Sequence, residues 1–355
     1  MKMKLITLAA LCLFSKLTIA QVILNANSLG NTYEDINTVL APGYNVIEVP
    51  DCVHTDYGRH IDEIFDTTLN TNVFRFIAHQ TPDNDRCQNF DRQRTEIKTY
   101  DQSPDNLKAV EGEIIEYKWK FKLPSDFQVS PNFTHLHQIK SVGGAYASIP
   151  MITLTARKAT PDRIELRQTP TTNQTTLLTA NLDLFRGHWV DVTERITYGN
   201  SGRYSIIINR ISDNTTLLSY TNDDIDMWQD GATFARPKWG IYRSLINIDD
   251  LQDEVVLFNN FSIEEIDPLS ISDLESLANK VTLIPNPSKD RVTLKNIESI
   301  DYDSILLFDS SGREIQLSNR LNNHTLEVSG LASGLYFITV LKYNRPITTL
   351  KCIIE

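Results

Sequence analysis

Cysteine is scarce in this chain, and its spacing excludes a zinc–thiolate site. Four cysteines are present, at positions 12, 52, 87 and 352, and no two of them form a C-x-x-C pair. Cys12 falls in an apolar N-terminal stretch that we expect to be removed. Cys52 and Cys87 are therefore predicted to form the single disulfide, in an oxidising compartment, and Cys352 to remain unpaired.

Long hydrophobic runs are also absent, which argues against a membrane-spanning helix. The run from Leu5 to Phe14 is shorter than the roughly 20 apolar residues that cross a bilayer as a helix. Lys2 and Lys4 precede this run, and a small-residue stretch ending at Ala20 follows it. Residues 1–20 are therefore predicted to be a secretory signal peptide, and the mature protein to be soluble and secreted.

Positive charge is in short supply overall. The chain has 34 Lys and Arg against 45 Asp and Glu, a formal net charge of −11. Such an acidic exported protein is a poor candidate for binding nucleic acid or an anionic membrane surface. An anionic substrate stays compatible if cations are concentrated locally. No G-x-S-x-G, H-E-x-x-H, Walker or EF-hand motif occurs.

Helical periodicity is weak, and strand patterns dominate residues 21–268. In "EYKWKFKLP", Tyr117, Trp119 and Phe121 alternate with lysines, as in a strand with one buried face. Only "RHIDEIFDTTL", residues 59–69, suggests a helix. Many strands without an alternating βαβ pattern predict an antiparallel β-sandwich for this region.

The composition changes after residue 268. Residues 269–280 are short, polar and without aromatic residues, and we interpret them as a linker. From residue 281, short apolar strands alternate with Pro-Asn-Pro, Ser-Ser-Gly and Ala-Ser-Gly turns, which predicts a small β-sandwich over 281–355. The motifs "IPNPS", "FDSSGRE" and "GLASGLYFITV" resemble the C-terminal sorting domain of the type IX secretion system. That resemblance implies the type IX machinery as a partner, export beyond the outer membrane, and removal of the domain.

Three short strand-like segments carry most of the candidate site residues. In "RQRTEIK", charged residues recur at a spacing of two from Arg92 to Lys98, so their face cannot be an apolar core. "HLHQIK" groups Gln138 and Lys140 against His135 and His137. "PKWGIYRS" groups Lys238, Gly240 and Tyr242 on one side, and Gly240 would let a ligand approach the backbone.

The three segments resemble the signature strands of β-jelly-roll polysaccharide lyases. "RTEIK" matches their R-[ST]-E-x-[RK] strand, "KWGIY" their K-x-G-I-Y strand, and "QIK" their Q-[IV]-H strand with lysine in place of histidine. With this lysine, the stretch "DRQRTEIKTYDQSPDNLKAVEGE" looks most similar to ulvan lyases of marine Bacteroidetes. The resemblance covers nearly all of residues 30–265 and implies a jelly-roll fold and β-elimination of a uronate.

The resemblance also implies the roles of individual residues. Lys140 and Tyr242 are the expected catalytic residues, with Tyr242 protonating the leaving O4. Lys140 is either the base, or a charged neutraliser of the uronate carboxylate while Tyr242 acts as both base and acid. His135 and His137 are expected to point into the sandwich, although His137 is kept as a candidate contact. The substrate-binding candidates are Arg92, Arg94, Glu96, Lys98, His137, Gln138 and Lys238.

Within that set, Gln138 and Arg94 are expected to grip the carboxylate, and Glu96 to orient Arg94 or Lys238. Lys118, Lys120, Lys122 and Arg243 are expected to add to a cationic groove. No cofactor is expected for catalysis, but the acidic segments "NTYEDIN" and "NNFSIEEID", residues 31–37 and 259–267, could share a structural calcium ion.

The sequence thus predicts a secreted, monomeric, endo-acting ulvan lyase. It would cut between sulfated rhamnose and glucuronate or iduronate, leaving an unsaturated uronate end. Three alternatives remain open: a lyase for another polyuronate such as glucuronan, alginate or a heparin-like chain; a non-catalytic carbohydrate-binding sandwich; and a glycoside hydrolase using Glu96 and Glu165 as paired carboxylates.

Overall fold

The computed structural model describes residues 21–266, 281–299, 302–316, 321–322, 324–342 and 345–355. The chain divides into two compact units, residues 1–266 and 267–355, which are described separately. The predicted signal peptide and the predicted linker at 269–280 lie outside the described residues.

Strands dominate the regular secondary structure of residues 21–266. The one α-helix in this range is α1, Thr32–Leu40. The segment 59–69, predicted as a helix, instead forms the strand Ile61–Asp66, so that prediction is wrong. The fifteen described strands are β1 Val22–Leu24, β2 Ile47–Glu48, β3 Ile61–Asp66, β4 Thr71–Ala78, β5 Arg92–Lys98, β6 Ile114–Lys122, β7 Thr134–Val142, β8 Ile152–Arg157, β9 Arg163–Gln168, β10 Thr175–Asn181, β11 Trp189–Thr197, β12 Gly202–Arg210, β13 Thr216–Ile225, β14 Phe234–Ser244 and β15 Glu254–Glu265.

These strands form two antiparallel sheets packed as a sandwich, which confirms the predicted fold class. One sheet has eight strands, in the order β13-β12-β11-β6-β15-β4-β3, with β1 paired to β15. The other has seven, in the order β10-β9-β8-β7-β14-β5-β2. The three segments singled out in the sequence are therefore adjacent strands, in the order β7-β14-β5.

The core lies between the two sheets and is rich in aromatic residues. Tyr117, Trp119 and Phe121 of β6 are each 1 % exposed, as the alternation predicted. Trp119 packs on Trp239 of β14, with ring centroids 6.0 Å apart, and this contact joins the two sheets. Burying side chains of this size contributes roughly 2–3 kcal/mol each to the free energy of unfolding.

Four predicted groove cations do not lie near β5, β7 and β14 on a shared open face. Lys118, Lys120 and Lys122 belong to β6, in the eight-stranded sheet. Arg243 is fully buried and donates to the backbone carbonyl of Gln252 at 2.7 Å. The prediction that these residues extend the cationic groove is therefore wrong, because it ignored which sheet and which face each strand contributes.

The disulfide between Cys52 and Cys87 is present in the first unit, as predicted. Among the residues described, no helix combines the length and apolar character needed to cross a membrane.

The second unit contains two four-stranded sheets, ordered β16-β17-β21-β20 and β19-β18-β22-β23. Cys352 is a free cysteine buried in its core, as predicted. The described strands are β16 Thr282–Ile284, β17 Arg291–Lys295, β18 Ser304–Asp309, β19 Glu314–Ile315, β20 Leu321–Asn322, β21 Thr325–Glu327, β22 Gly334–Lys342 and β23 Arg345–Ile354.

Candidate active site

The register of β5, β14 and β7 brings the predicted site residues to one side of the seven-stranded sheet. Tyr242 pairs with Arg94, Gly240 with Glu96, and Lys238 with both Lys98 and Gln138. We call this side, turned away from the other sheet, the polar face. It is formed by Glu48, Arg94, Glu96, Lys98, His135, Gln138, Lys140, Arg236, Lys238 and Tyr242.

A β-bulge in β7 changes where the two histidines point. Where β7 pairs with β8, residues 135–137 lie opposite only Leu154 and Thr155, so β7 carries one extra residue there. On its other side, His135 lies opposite Tyr242 while Gln138 lies opposite Lys238. An extra residue on one strand of a pair reverses the alternation beyond it. His135 therefore lies on the polar face, and the expectation that it points into the sandwich is wrong.

His137 is the histidine that points inward. It is completely buried, its Nε2 lies 2.9 Å from Glu194 Oε2 of the opposite sheet, and its Nδ1 lies 2.9 Å from the backbone carbonyl of Lys238. Tyr204 donates to the second oxygen of Glu194 at 2.7 Å. The prediction that His137 contacts the substrate is therefore wrong. The prediction that His137 points into the sandwich and forms hydrogen bonds there agrees with the structure.

Glu48, at the edge strand β2, is the central carboxylate of the polar face. It is 5 % exposed and pairs with Lys98 Nζ at 2.8 Å, Arg86 at 2.7 Å and Arg94 at 3.4 Å, and it also contacts Lys238. Burial alone would raise the pKa of Glu48, but these four cations hold it well below its usual range. Glu48 thus pairs with Arg94, Lys98 and Lys238, which the sequence analysis predicted to bind the substrate.

Glu96 is the second buried carboxylate and shares the same cations. Its oxygens accept from Arg94 Nη1 at 2.6 Å, Lys238 Nζ at 2.7 Å and Gln138 Nε2 at 2.5 Å. Arg94 also donates to Asp85 at 2.9 Å. The predicted role of Glu96 as an orienting residue is consistent with these contacts. Lys238, 2 % exposed and paired with both carboxylates, lies beneath the surface, so we no longer assign it a direct substrate contact.

Tyr242 lies between two arginines. The Arg94 guanidinium stacks 3.7 Å from the Tyr242 ring centroid, and Arg92 Nη1 donates to the Tyr242 hydroxyl at 3.2 Å. Burial raises the pKa of Tyr242, although the charges of Arg94 and Arg92 oppose that shift. The phenol is therefore protonated at neutral pH, and two cations are in place to stabilise its anion.

Lys140 and Arg236 lie directly opposite each other on β7 and β14. Within the described part of the chain neither forms an ion pair with a carboxylate; Lys140 Nζ donates to the Ser148 carbonyl at 2.9 Å. Arg236 is 7 % exposed, and its Nε and Nη1 have no hydrogen-bond partner. Burial, followed by the charges of Lys238 and Arg236, lowers the pKa of Lys140 to about 7. An anion is the natural partner for two such groups.

Lys140 and Tyr242 lie on neighbouring strands and on the same face, but not side by side. Lys140 pairs with Arg236, six residues from Tyr242 along β14, which separates their backbones by ~20 Å. The Lys140 amine donates to the Ser148 carbonyl at 2.9 Å, and the Tyr242 hydroxyl accepts from Arg92 at 3.2 Å. The register thus places the two groups towards opposite ends of the polar face.

Gly240 lies on β14 midway between Lys238 and Tyr242. Its φ is +146°, and a Cβ there would come within 2.1 Å of the Thr95 carbonyl. The glycine is thus required by the close approach of β5, and not by the ligand as we expected from the sequence. As a consequence, β14 contributes no side chain to the polar face between Lys238 and Tyr242.

The paired-carboxylate arrangement of a glycoside hydrolase does not form. Glu165 lies on β9 and Glu96 on β5, four strands apart in the sheet, or ~19 Å at ~4.8 Å per strand. Hydrolases of this kind need their two carboxyl groups within roughly 5–9.5 Å. Glu165 is instead bound by Arg163 at 2.6 Å and Arg167 at 3.1 Å.

The segment proposed for calcium at residues 31–37 forms other contacts. Glu34 pairs with Arg59 at 2.7 Å, and Asp35 accepts hydrogen bonds from Asn27 and Asn31. Asp267, the last residue of the second acidic segment, lies outside the described residues. The shared calcium ion stays a prediction.

Three polar-face residues were missed by the sequence reasoning. Arg236 could have been found, because it extends the every-second-residue pattern of Lys238, Gly240 and Tyr242. His135 required knowledge of the bulge. Glu48 lies in a two-residue strand that has no periodic signal.

Two family models match this chain. Residues 68–262 match the family model described as "Polysaccharide lyase", and residues 282–355 match the "Secretion system C-terminal sorting domain". The second unit is thus a sorting domain of type IX secretion. A comparison with curated proteins gives no match.

Several solved structures are similar to the chain. An endo-β-1,4-glucuronan lyase from the fungus Trichoderma reesei is 16 % identical over 58 % of this chain and 87 % of its own, with a TM-score of 0.43. A marine PL-14 alginate lyase from Aplysia kurodai is 11 % identical over 70 % of this chain and 100 % of its own, with a TM-score of 0.47. The family 7 alginate lyase A1-II′ is 12 % identical over 62 % and 93 %, with a TM-score of 0.41. The polysaccharide lyase family model matches more than half of the residues of this chain, so the chain belongs to the polysaccharide lyase family.

Proposed function

We propose that this enzyme is an endo-acting ulvan lyase, which cleaves the bond between sulfated rhamnose and a uronate by β-elimination. The observation that carries the proposal is that two basic side chains without a carboxylate partner, Lys140 and Arg236, lie opposite each other on the same face as a protonated Tyr242. The lysine of "QIK" supports ulvan over the other polyuronates, because it is the departure that resembles the ulvan lyases.

Arg236 is assigned to the uronate carboxylate. Neutralising that carboxylate makes the neighbouring C5 proton more acidic, which is the first requirement of the elimination. Arg236 has buried donors without a partner, whereas the donors of Arg94 and Gln138 are already directed at Asp85 and Glu96. In this proposal, therefore, Arg236 binds the uronate carboxylate in place of Arg94 and Gln138, the residues predicted from the sequence.

Lys140 and Tyr242 divide the proton transfers. Neutral Lys140 takes the C5 proton, the electron pair forms the C4–C5 double bond, and the C4–O4 bond breaks. O4 takes the phenolic proton of Tyr242, and Arg92 and Arg94 stabilise the phenolate.

The alternative role of Lys140 is a charged neutraliser, with Tyr242 as both base and acid. Glucuronate and iduronate differ in configuration at C5, so their protons lie on opposite faces of the ring. If Lys140 and Tyr242 serve opposite faces, Lys140→Ala should reduce cleavage at the two uronates unequally. Equal, mild losses would contradict that division of roles.

The test is incubation of the purified enzyme with ulvan, glucuronan, alginate and heparin. Unsaturated uronate ends, followed by their ultraviolet absorbance, should appear fastest with ulvan. A faster reaction on another polyuronate would overturn the substrate assignment but keep the lyase chemistry. Early formation of mixed oligosaccharides would support endo action, and single-unit release would contradict it.

A further inference from the structure

A cluster of three histidines and one aspartate lies outside the polar face. It is formed by His54, His60, His79 and Asp83, whose ligand atoms all lie within 4.8 Å of one another. It is the single group of three or more His, Cys, Asp or Glu side chains with metal-binding geometry found in the described residues. Nothing in the lyase chemistry uses these four residues.

The distances from Asp83 to the three histidines are close to those around a tetrahedral ion, and the 4.8 Å spread of the whole cluster would narrow on binding. Asp83 Oδ1 lies 3.0 Å from His54 Nδ1 and 3.2 Å from His60 Nε2, and Asp83 Oδ2 lies 3.2 Å from His79 Nδ1. Four nitrogen and oxygen ligands at ~2.1 Å around a tetrahedral zinc ion lie ~3.4 Å from one another.

His60 supplies an independent sign of a missing ligand. It is completely buried, and its Nε2 forms no well-aligned hydrogen bond although Asp83 Oδ1 lies 3.2 Å away. Its other nitrogen, Nδ1, lies 2.7 Å from Asp51 Oδ1, and Asp51 also accepts from the Tyr33 hydroxyl at 2.9 Å. A carboxylate on the far nitrogen of a histidine orients the ring and fixes its tautomer, and this is the usual outer partner of a metal-binding histidine.

We propose that His54, His60, His79 and Asp83 bind one zinc ion. Three imidazoles with one carboxylate form a donor set that zinc accepts, and four protein ligands leave no open position, so the site is structural. His54 and His79 are 22 % and 16 % exposed, which leaves the ion a path from solvent.

The zinc ion would fix the segment that holds Arg94 in place. Asp83 is two residues from Asp85, which accepts from Arg94 Nε at 2.9 Å. Gln93, next to Arg94, donates to the backbone carbonyl of His79 at 2.7 Å. Zinc bound to His79 and Asp83 would therefore stabilise the backbone next to the contacts that orient Arg94 over Tyr242.

The test measures zinc in the full chain, purified without a polyhistidine tag. After dialysis against zinc chloride and then metal-free buffer, the wild type should retain about one zinc per chain. His54→Ala and His79→Ala should retain almost none, and Asp51→Asn should bind zinc about 10- to 100-fold more weakly. His188→Ala, an exposed histidine outside the cluster, is the matched control and should bind zinc as the wild type does.

Thermal unfolding gives a second readout that is independent of activity. Zinc should raise the unfolding midpoint of the wild type and of His188→Ala but not of His79→Ala, because only a folded site binds the ion. A wild type that retains no zinc and shows no shift would overturn the proposal. The cluster would then be a protonated His60 held between Asp51 and Asp83.

Discussion

His135 lies opposite Tyr242 across the β7–β14 pair, with their ring centroids 5.9 Å apart. His135 is 8 % exposed, its Nδ1 has no hydrogen-bond partner, and burial lowers its pKa to about 3. A neutral imidazole beside the proposed acid offers one hydrogen-bond donor and one acceptor. The bulge that places His135 there also directs His137 into the core. The two histidines are only two residues apart, but they lie in different environments.

The two histidines should respond differently to the same substitution. His135→Phe keeps the stacking on Phe133, 4.8 Å between centroids, but removes the nitrogens. We expect its kcat to fall with little change in the unfolding midpoint. His137→Phe leaves Glu194 buried without its partner and should reduce the free energy of unfolding by about 3 kcal/mol. Steady-state rates and urea titrations of both variants check this, and a reversed pattern would contradict the assignment.

Tyr242→Phe should remove the acid without disturbing the site. The ring still stacks on Arg94, so the fold and substrate binding should be retained. The loss of the phenolic proton should reduce kcat by about 10²- to 10⁴-fold. Product absorbance gives the rate, and calorimetric binding of ulvan to the variant is the control. Activity near the wild-type level would exclude Tyr242 as the acid.

The pH profile should distinguish the two roles of Lys140. Burial, together with the charges of Lys238 and Arg236, lowers the pKa of Lys140 to about 7. As a base it must be neutral, so kcat/KM should rise as pH increases through about 7 and then level off. The pKa of Tyr242 is raised by burial, so the acid should lose its proton only in strongly alkaline solution. Activity that falls as pH rises through 7 would instead identify a charged Lys140.

Arg236→Ala should weaken stabilisation of the uronate carboxylate. Losing one charge-assisted hydrogen bond costs ~1.5–3 kcal/mol, so kcat/KM should fall by roughly 10- to 100-fold. The matched control is Arg203→Ala, on β12 of the other sheet, where the arginine pairs with Asp223 at 2.7 Å. Equal effects of the two substitutions on kcat/KM would show that Arg236 has no specific role.

Glu48→Gln should destabilise the protein more than the same substitution at an exposed glutamate. Glu48 is buried among four cations, and removing its charge should cost ~3–5 kcal/mol of unfolding free energy. Glu34→Gln breaks only a surface pair with Arg59 and should have a much smaller effect, because solvent screens exposed charges. Denaturant titration of both variants gives the comparison, and a small effect at Glu48 would show that the cations find other partners.

Local patterns in the sequence were enough for part of this protein. The alternation of Tyr117, Trp119 and Phe121 predicted a strand with one face in the core, since side chains two apart on a strand point to the same side. The cysteine positions predicted the disulfide. The three polar segments were predicted to share a face, and they are adjacent strands.

The tertiary structure decided the rest, because strand order, register and bulges arise from pairing between residues distant in sequence. The bulge moved His135 to the polar face, and β2 brought Glu48 to cations encoded some fifty residues away and more. Alternation within one strand holds no information about the neighbouring strand. The sequence by itself therefore determined which side chains are available to the site, and only the folded sheets determined which of them are already paired and which remain free for a substrate.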